Sequence, residues 1–188
     1  KALCIFVLSQ EFKNELIRRG VKSDIHLTST KVPDYFISGF DLSMRQGKAK
    51  NIMYSGRIEK AKGVYETVDT FSILKSQYKD LTLTFVGDGS ELPKLKQYVE
   101  NKKIKDVRFT GRLCGEDFKK EYINADMYLF LSYTEGMPTV VLEAMIFGLP
   151  IFTRKVGGLI DFFENGKMGY ISSSLDPVVF AEAMKPYI

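Results

Sequence analysis

Histidine and cysteine, the residues that most often build metal centres and nucleophilic triads, are scarce in this sequence. Histidine occurs once, at His26, and the two cysteines, Cys4 and Cys114, lack the spacing of metal ligands. A Ser-His-Asp or Cys-His arrangement needs a histidine beside its nucleophile, whereas His26 lies in a short apolar segment where a packing role is far more common. These shortages disfavour zinc sites and triad hydrolases, and the sparse cysteines favour a reducing compartment.

A strong net charge and long apolar runs are also missing. The 27 Lys and Arg against 23 Asp and Glu leave a net charge of +4, which does not indicate nucleic-acid binding without a clustered basic face. No apolar run approaches the roughly 20 residues of a membrane span. The opening KALCIFVLS is short for a signal peptide and has no small-residue cleavage site, so it predicts a buried strand.

Apolar strands alternate with amphipathic helices along the rest of the chain. The predicted strands cover residues 51–55, 81–86, 106–110, 127–131 and 151–152 and a segment around Tyr170. The helices lie between them and after Pro177, and Ser9 and Ser90 are suited to cap two helices at their N-termini. This alternation predicts an α/β fold with a Rossmann-like parallel sheet and helices on both faces. Ligands of such sheets bind at the carboxyl ends of the strands.

The most informative segment is EGMPTVVLEAMIFGLP, residues 135–150. It predicts a short helix with Pro138 at the first helical position and a stop at Gly148. The free N–H groups of the first turn form an anion site beside Glu135 and Glu143. Because a carboxylate repels phosphate, these two glutamates are better suited to hold neighbouring hydroxyl groups. Phosphate and hydroxyl groups together indicate a nucleotide sugar.

Two ordinary glutamates on a helix surface are the alternative explanation. Eight residues on a helix correspond to about 800°, so Glu135 and Glu143 would point about 80° apart and share no face. Both can reach one ligand only if Glu135 precedes the helix, as Gly136 and Pro138 suggest.

Two further motifs indicate ligand contacts. In GRIEKAKG, residues 56–63, Arg57 ends a predicted strand and Lys62 stands where a helix begins, so both cations can converge on one diphosphate. The alternative is a pair of solvated cations such as Lys60, which we expect to face solvent. In VGG, residues 156–158, Gly157 and Gly158 let the backbone approach a ligand closely, although a simple turn is the alternative.

The segment FLSYTEGMPTVVLEAMIFGLPIFTRKVGG resembles the signature of retaining glycosyltransferases of the GT-B fold. This family includes bacterial mannosyl- and glucosyltransferases and sucrose synthase. The resemblance runs from about Ser55 to the C-terminus and is weaker upstream. It implies that residues 48–188 are the C-terminal, nucleotide-sugar donor-binding domain, and that residues 1–47 are the tail of the acceptor domain and the interdomain lead-in. The usual Asn-Gly turn of that hinge is absent from residues 29–32.

The resemblance also implies a role for each predicted site residue. The catalytic group is Glu135, which contacts the transferred sugar, with Arg57 and Lys62 on the phosphates. The donor-binding group comprises Glu143 on the ribose hydroxyls, Gly157 and Gly158 near the sugar, Gly111 and Arg112 near the base, and the helix start at Gly136, Met137, Pro138 and Thr139.

The expected activity is transfer of a sugar from a UDP- or GDP-linked donor to an acceptor hydroxyl, with retention and without a metal or cofactor. The acceptor, a glycan or lipid-linked saccharide, is expected to need the N-terminal domain, so this fragment alone is expected to be inactive. The chain begins at Lys1 rather than Met, which favours a piece of a longer protein. We expect that protein in the cytoplasm, at the inner face of the membrane, in cell-surface polysaccharide or glycoconjugate synthesis.

Two alternatives remain open at this point. A nucleotide-sugar epimerase of GT-B type usually recruits additional His and acidic residues, and this chain has only His26. A non-catalytic module that binds a sugar nucleotide would need the same donor residues but would show no turnover.

Overall fold

The computed structural model describes residues 4–45 and 49–188. The predicted domain boundary between residues 47 and 48 lies outside these described residues. So do the first three residues of the predicted opening strand.

Two parallel sheets organise the chain. The smaller sheet pairs β1 (Cys4–Val7) with β2 (Asp24–Leu27). The larger one contains β3 (Asn51–Ser55), β4 (Thr82–Val86), β5 (Val107–Gly111), β6 (Met127–Phe130), β7 (Ile151–Arg154) and β8 (Gly169–Ser172), in the order β5-β4-β3-β6-β7-β8. The predicted parallel α/β sheet is therefore confirmed.

Helices cover both faces of the larger sheet. They are α2 (Val64–Gln77), α3 (Leu92–Asn101), α4 (Gly115–Asn124), α5 (Thr139–Ile146) and α6 (Pro177–Met184), whereas α1 (Gln10–Arg18) packs beside the smaller sheet. Right-handed crossovers put α2 and α3 on one face and α4 and α5 on the other. The last helix, α6, returns to pack on α2. Because both faces are covered, the strands are apolar along their length, as in Ile52, Leu129 and Phe152, which are fully buried.

Local signals located most element ends, and two predictions failed. Ser9 caps α1 as predicted, since its Oγ accepts a hydrogen bond from the Phe12 N–H at 3.2 Å. The predicted cap at Ser90 is wrong, because α3 begins at Leu92 with Glu91 at the capping position. The Glu91 N–H donates instead to the carbonyl of Ile58, which holds the preceding turn against the loop that follows β3.

The predicted buried strand at the start of the chain is also wrong in one respect. The strand β1 forms, but of its residues only Val7 is buried, and Phe6 is 66% exposed. Its apolar composition correctly predicted a strand. Burial did not follow, because within the described residues β1 has only β2 as a neighbour in its sheet.

Arg45 links the segment before the larger sheet to two helices of that sheet. Its guanidinium donates to the carbonyls of Tyr122 at 2.7 Å, Phe147 at 2.8 Å, and Ala125. These carbonyls lie at the C-terminal ends of α4 and α5, where helices leave acceptors unsatisfied and favour cations. Burial lowers the pKa of Arg45, and the charge of Asp126 opposes that shift. Arg45 therefore ties the lead-in to two helices.

We predict that Arg45→Met destabilises the fold by about 2–4 kcal/mol, because it leaves several helix-end carbonyls without donors. Urea unfolding measures the loss. Arg18→Met is the matched control: Arg18 forms only an exposed ion pair with Glu15, so the control should cost less than about 0.5 kcal/mol. Equal losses in the two variants would show that Arg45 is an ordinary surface arginine.

Candidate functional site

The strand order places a crevice between β3 and β6. The chain winds outward from β3 through β4 to β5, and then resumes on the other side of β3 with β6, β7 and β8. At such a reversal the loops that follow the two central strands diverge and leave a crevice at the carboxyl ends. Here these loops are residues 56–63 and 131–138. They carry half of the twelve residues that the sequence predicted for the site.

The two loops meet backbone to backbone at Gly63. This residue has φ +68° and is the N-cap of α2, and a Cβ atom there would lie 2.0 Å from the carbonyl oxygen of Leu131. A second contact joins the same loops, since the Tyr133 N–H donates to the carbonyl of Ala61 at 3.0 Å. Only glycine permits this approach, which directs the preceding residue, Lys62, towards the loop after β6.

An ion pair between Lys62 and Glu135 lies at the centre of the crevice. Lys62 Nζ and Glu135 Oε1 are 2.7 Å apart, and the side chains are only 17% and 13% exposed. Sequence reasoning placed each residue in the site but did not foresee their pairing. The pairing brings together the residue assigned to the phosphates and the one assigned to the sugar.

Arg57 does not join this pair. Its side chain is 70% exposed and forms an ion pair with Glu59 at 3.1 Å. Its backbone carbonyl accepts a hydrogen bond from the Tyr54 hydroxyl at 2.8 Å. Burial raises the pKa of Tyr54 well above its usual value, and the charge of Glu135 adds to that rise while the charge of Arg57 opposes it. The charges of Arg57 and Glu135 therefore act on one buried tyrosine, and the Arg57 guanidinium is exposed and paired with Glu59. Lys60 is exposed, as predicted.

The start of α5 differs by one residue from the prediction. Pro138 is the capping residue, with extended ψ 101°, rather than the first helical residue. Its carbonyl accepts from the N–H groups of Val141 and Leu142, so the first turn is tight. No side chain caps this helix start, which leaves the N–H groups of Thr139 and Val140 directed at the crevice.

Gly157 and Gly158 support the loop that carries Glu135. A Cβ atom on Gly157, whose φ is +52°, would lie 2.1 Å from the carbonyl oxygen of Gly136. The Gly158 N–H donates to that same oxygen at 2.7 Å, and Gly158 also packs against Met137. The glycine pair therefore holds Gly136 and Met137 in place, which favours the turn interpretation over a direct ligand contact.

Glu143 lies on the second turn of α5 and is separate from the ion pair. It is half-buried, and its Oε2 accepts a hydrogen bond from the Tyr122 hydroxyl at 2.8 Å. Burial raises the pKa of Glu143, while the bond from Tyr122 acts in the opposite direction. Sequence reasoning missed Tyr122, because its spacing marks it only as a core residue of α4.

Gly111 and Arg112 lie at the end of β5, two strands away from β3. Gly111 contributes its carbonyl to a hydrogen bond from the Gly87 N–H at 2.9 Å. Arg112 is exposed. The structure does not bring these two residues against Glu135, so they would contact only a ligand that extends along the carboxyl edge.

A cavity of about 720 Å³ adjoins the Glu135 loop on the side of the lead-in. One wall is Glu135, Gly136 and Gly157, and the other comes from β1 and α1, including Phe6 and Arg18. The Gln10 N–H donates to Asp161 at 2.9 Å, which holds α1 over the site. No motif in the sequence indicated this cavity, because it depends on contacts between distant segments.

Within the described residues, no group of three or more His, Cys, Asp and Glu side chains is placed to hold a metal ion. In the same part of the chain, no helix combines the length and the apolar character that a membrane span requires.

Comparison with known proteins gives one family. The model of that family, described as glycosyl transferases group 1, matches residues 43–188. The chain is 32% identical over 111 residues to the putative teichuronic acid biosynthesis glycosyltransferase TuaC of Bacillus subtilis, covering 59% of this chain and 26% of TuaC. It is 30% identical over 142 residues to the glycogen synthase of Mycobacterium tuberculosis, covering 75% of this chain and 34% of the synthase. The chain thus spans about a quarter to a third of these relatives.

A solved structure confirms the fold. A mutant of S. aureus TarM, crystallised in complex with fondaparinux, α-GlcNAc-glycerol and UDP, superposes with a TM-score of 0.80 at 18% identity. The superposition covers 97% of this chain and 36% of TarM. Together with the sheet order, it identifies the fold as the Rossmann-like C-terminal half of a GT-B architecture.

We predict that Gly157→Ala destabilises the fold by about 2–4 kcal/mol, because the added Cβ must displace the Glu135 loop. Gly166→Ala is the matched control. Gly166 has φ +83° and nothing within 4 Å of its Cβ position, so the control reports only the backbone cost of roughly 1 kcal/mol. Urea unfolding of both variants measures the difference, and similar losses would contradict the close contact.

We predict that Lys62 and Glu135 stabilise the fold cooperatively. A double-mutant cycle of Lys62→Met and Glu135→Gln, measured by urea unfolding, should give a coupling free energy of about 1–3 kcal/mol, because the pair is mostly withdrawn from water. The same cycle on Arg57 and Glu59 is the control and should give less than about 0.5 kcal/mol. No difference between the two cycles would mean that the crevice does not shield the pair.

Proposed function

Because the chain belongs to the group 1 glycosyltransferase family, we propose that it is the donor-binding half of an enzyme that transfers a sugar from a nucleotide diphosphate sugar to an acceptor hydroxyl. The observation that carries this proposal is the ion pair of Lys62 and Glu135 in the crevice beside the free N-terminus of α5. In a nucleotide sugar the transferred sugar is bonded directly to a phosphate. A site for it therefore needs a cation for that phosphate and an acceptor for sugar hydroxyls side by side.

The same groups can stabilise the charge that develops during transfer. As the bond from sugar to phosphate breaks, negative charge grows on the departing nucleoside diphosphate. Lys62, the N–H groups at the start of α5, and Arg57 after a rotation of its exposed side chain would meet that charge without a metal. Glu135, released from Lys62 as the phosphate arrives, would orient the sugar hydroxyls. Retention of the anomeric configuration is the outcome we expect for the transfer.

Glu143 would bind the ribose hydroxyls. It lies on α5 beyond the helix start, so a nucleotide whose phosphates meet that start extends its ribose along the helix. Charge-assisted hydrogen bonds of this kind contribute about 1.5–3 kcal/mol each. Gly111 and Arg112 lie at the same carboxyl edge and would be reached only by the base. We propose a UDP- or GDP-linked sugar as the donor, and the UDP in the complex of the TarM mutant supports the uridine-linked form.

The acceptor would enter the cavity beside Glu135. That cavity is lined by residues 6–19 as well as by the Glu135 loop, which supports assigning residues 1–47 to the acceptor side and the interdomain lead-in, and residues 48–188 to the donor domain. We propose a glycan or lipid-linked saccharide as the acceptor, and a role in surface polysaccharide synthesis, which the name of TuaC favours. The intact protein would act in the cytoplasm at the inner face of the membrane.

The donor site is tested by calorimetric titration of the intact protein with UDP, GDP and ADP. One of them should bind, and Glu143→Ala should weaken it roughly tenfold or more, because the ribose loses a charged acceptor. Glu100→Ala, at an exposed position on α3, is the control and should bind like the wild type. Unchanged affinity in folded Glu143→Ala would contradict the ribose role. Turnover of a nucleotide sugar by the intact protein distinguishes an enzyme from a binding module.

The affinity should also depend on pH. Burial raises the pKa of Glu143, and the hydrogen bond that its carboxylate accepts from the Tyr122 hydroxyl acts in the opposite direction. Only the ionised carboxylate accepts bonds from both ribose hydroxyls, so the affinity should fall as the pH is lowered through this raised pKa. Glu143→Gln cannot ionise and should remove this part of the pH dependence. The same pH dependence in wild type and Glu143→Gln would contradict the assignment.

A further inference from the structure

A chain of hydroxyl groups lies beneath Glu143. Tyr122 Oη is 2.8 Å from Glu143 Oε2, and Ser55 Oγ is 2.8 Å from Tyr122 Oη. Tyr128 Oη is in turn 2.8 Å from Ser55 Oγ. Ser55, Tyr122 and Tyr128 are fully buried. They come from β3, α4 and β6, so the chain runs under the crevice between the two central strands.

The protons of this chain can be placed by counting. An ionised carboxylate only accepts hydrogen bonds, so the Tyr122 hydroxyl must donate to Glu143. Its oxygen then needs a proton from Ser55, and Ser55 needs one from Tyr128. Three hydroxyl protons then serve three side-chain contacts and point towards Glu143, and the Tyr128 proton is shared with the backbone carbonyl of Ser55 at 3.2 Å. Any other arrangement leaves two oxygens in contact without a proton between them.

The ring of Tyr122 is held on several sides, which fixes its hydroxyl. It stacks on Phe147 with centroids 5.4 Å apart and contacts the edges of Phe36 and Phe118. Its backbone carbonyl accepts from Arg45 at 2.7 Å. Phenylalanine would keep all of these contacts. The packing of the ring therefore does not require the hydroxyl group.

We propose that Tyr122 is a positioning residue for the donor site: it holds Oε2 of Glu143 and thereby presents Oε1 to the ribose hydroxyls. This inference rests on the proposed function, because it assumes that Glu143 binds ribose. In the described part of the chain, Tyr122 is the only side chain that donates to Glu143. Without it the carboxylate can rotate, and the ribose must bind a group that is no longer prearranged.

The test compares two ligands on two proteins. The intact wild type and Tyr122→Phe are titrated with the nucleoside diphosphate that binds most tightly and with its 2′,3′-dideoxy counterpart. We expect the wild type to prefer the ribonucleotide. Tyr122→Phe should bind the ribonucleotide roughly three- to tenfold more weakly and the dideoxy compound equally well. A merely structural role would weaken both ligands alike.

The outcomes separate the two proposals. A wild type that does not prefer the ribonucleotide contradicts ribose binding by Glu143. A wild type that prefers it, with the same preference in Tyr122→Phe, overturns the positioning role alone. Tyr98→Phe is the matched control, because it also removes a phenol bond to a carboxylate, that of Asp69, away from the crevice. If Tyr122→Phe does not fold, Tyr122→Met, which also removes the hydroxyl that donates to Glu143, carries the test, and an unchanged preference there overturns the proposal.

Discussion

The structure of the site depends on the contact between the loops that follow β3 and β6. The reversal of strand order opens a crevice there, and the sheet alone would leave the two loops apart. Gly63 lets the backbones of the two loops come into contact, and the ion pair of Lys62 and Glu135 joins the loops through their side chains. A cation and a carboxylate separated by 73 residues are thus held at hydrogen-bond distance before any ligand arrives. Because the two side chains are already positioned, less conformational entropy is lost when a ligand binds.

A second constraint is the burial of polar groups beneath the crevice. Glu143 is a half-buried carboxylate with a raised pKa, and three buried hydroxyls lie below it. Burying these polar groups costs more free energy than burying apolar side chains in the same place. Most of the hydrogen bonds of these groups are made to one another, so the loss of one member leaves a buried neighbour with fewer partners. Such a network limits how freely Tyr122, Ser55 and Tyr128 can change. The position of Glu143 is therefore tied to the interior of the sheet and not only to α5.

The sequence predicted the strands and helices, which depend on residues close together in the chain, but it missed contacts between residues that are far apart in the chain. The strands were recognised because strands buried on both faces are mostly apolar, as MYLF of β6 is. The helix after Glu135 was recognised from its turn residues, but Pro138 caps it because the Gly157 turn fixes the preceding loop. Ser90 does not cap α3, because the Glu91 N–H is hydrogen-bonded to the carbonyl of Ile58 and the helix begins one residue later. Likewise Glu143 was found from a motif, whereas Tyr122 resembles any core tyrosine until its distance to Glu143 is known.

The order of groups along this segment matches the order of groups in the proposed donor. Glu135 precedes the helix start, the free N–H groups follow, and Glu143 lies about 6 Å further along α5 at 1.5 Å per residue from Thr139. A nucleotide sugar has the same sequence of sugar, diphosphate and ribose. One short helix can therefore set the register of the ligand, with the diphosphate at its N-terminus and a carboxylate on either side. Before any ligand binds, Glu135 is paired with Lys62 and Glu143 accepts a hydrogen bond from the Tyr122 hydroxyl, so both carboxylates are positioned in advance.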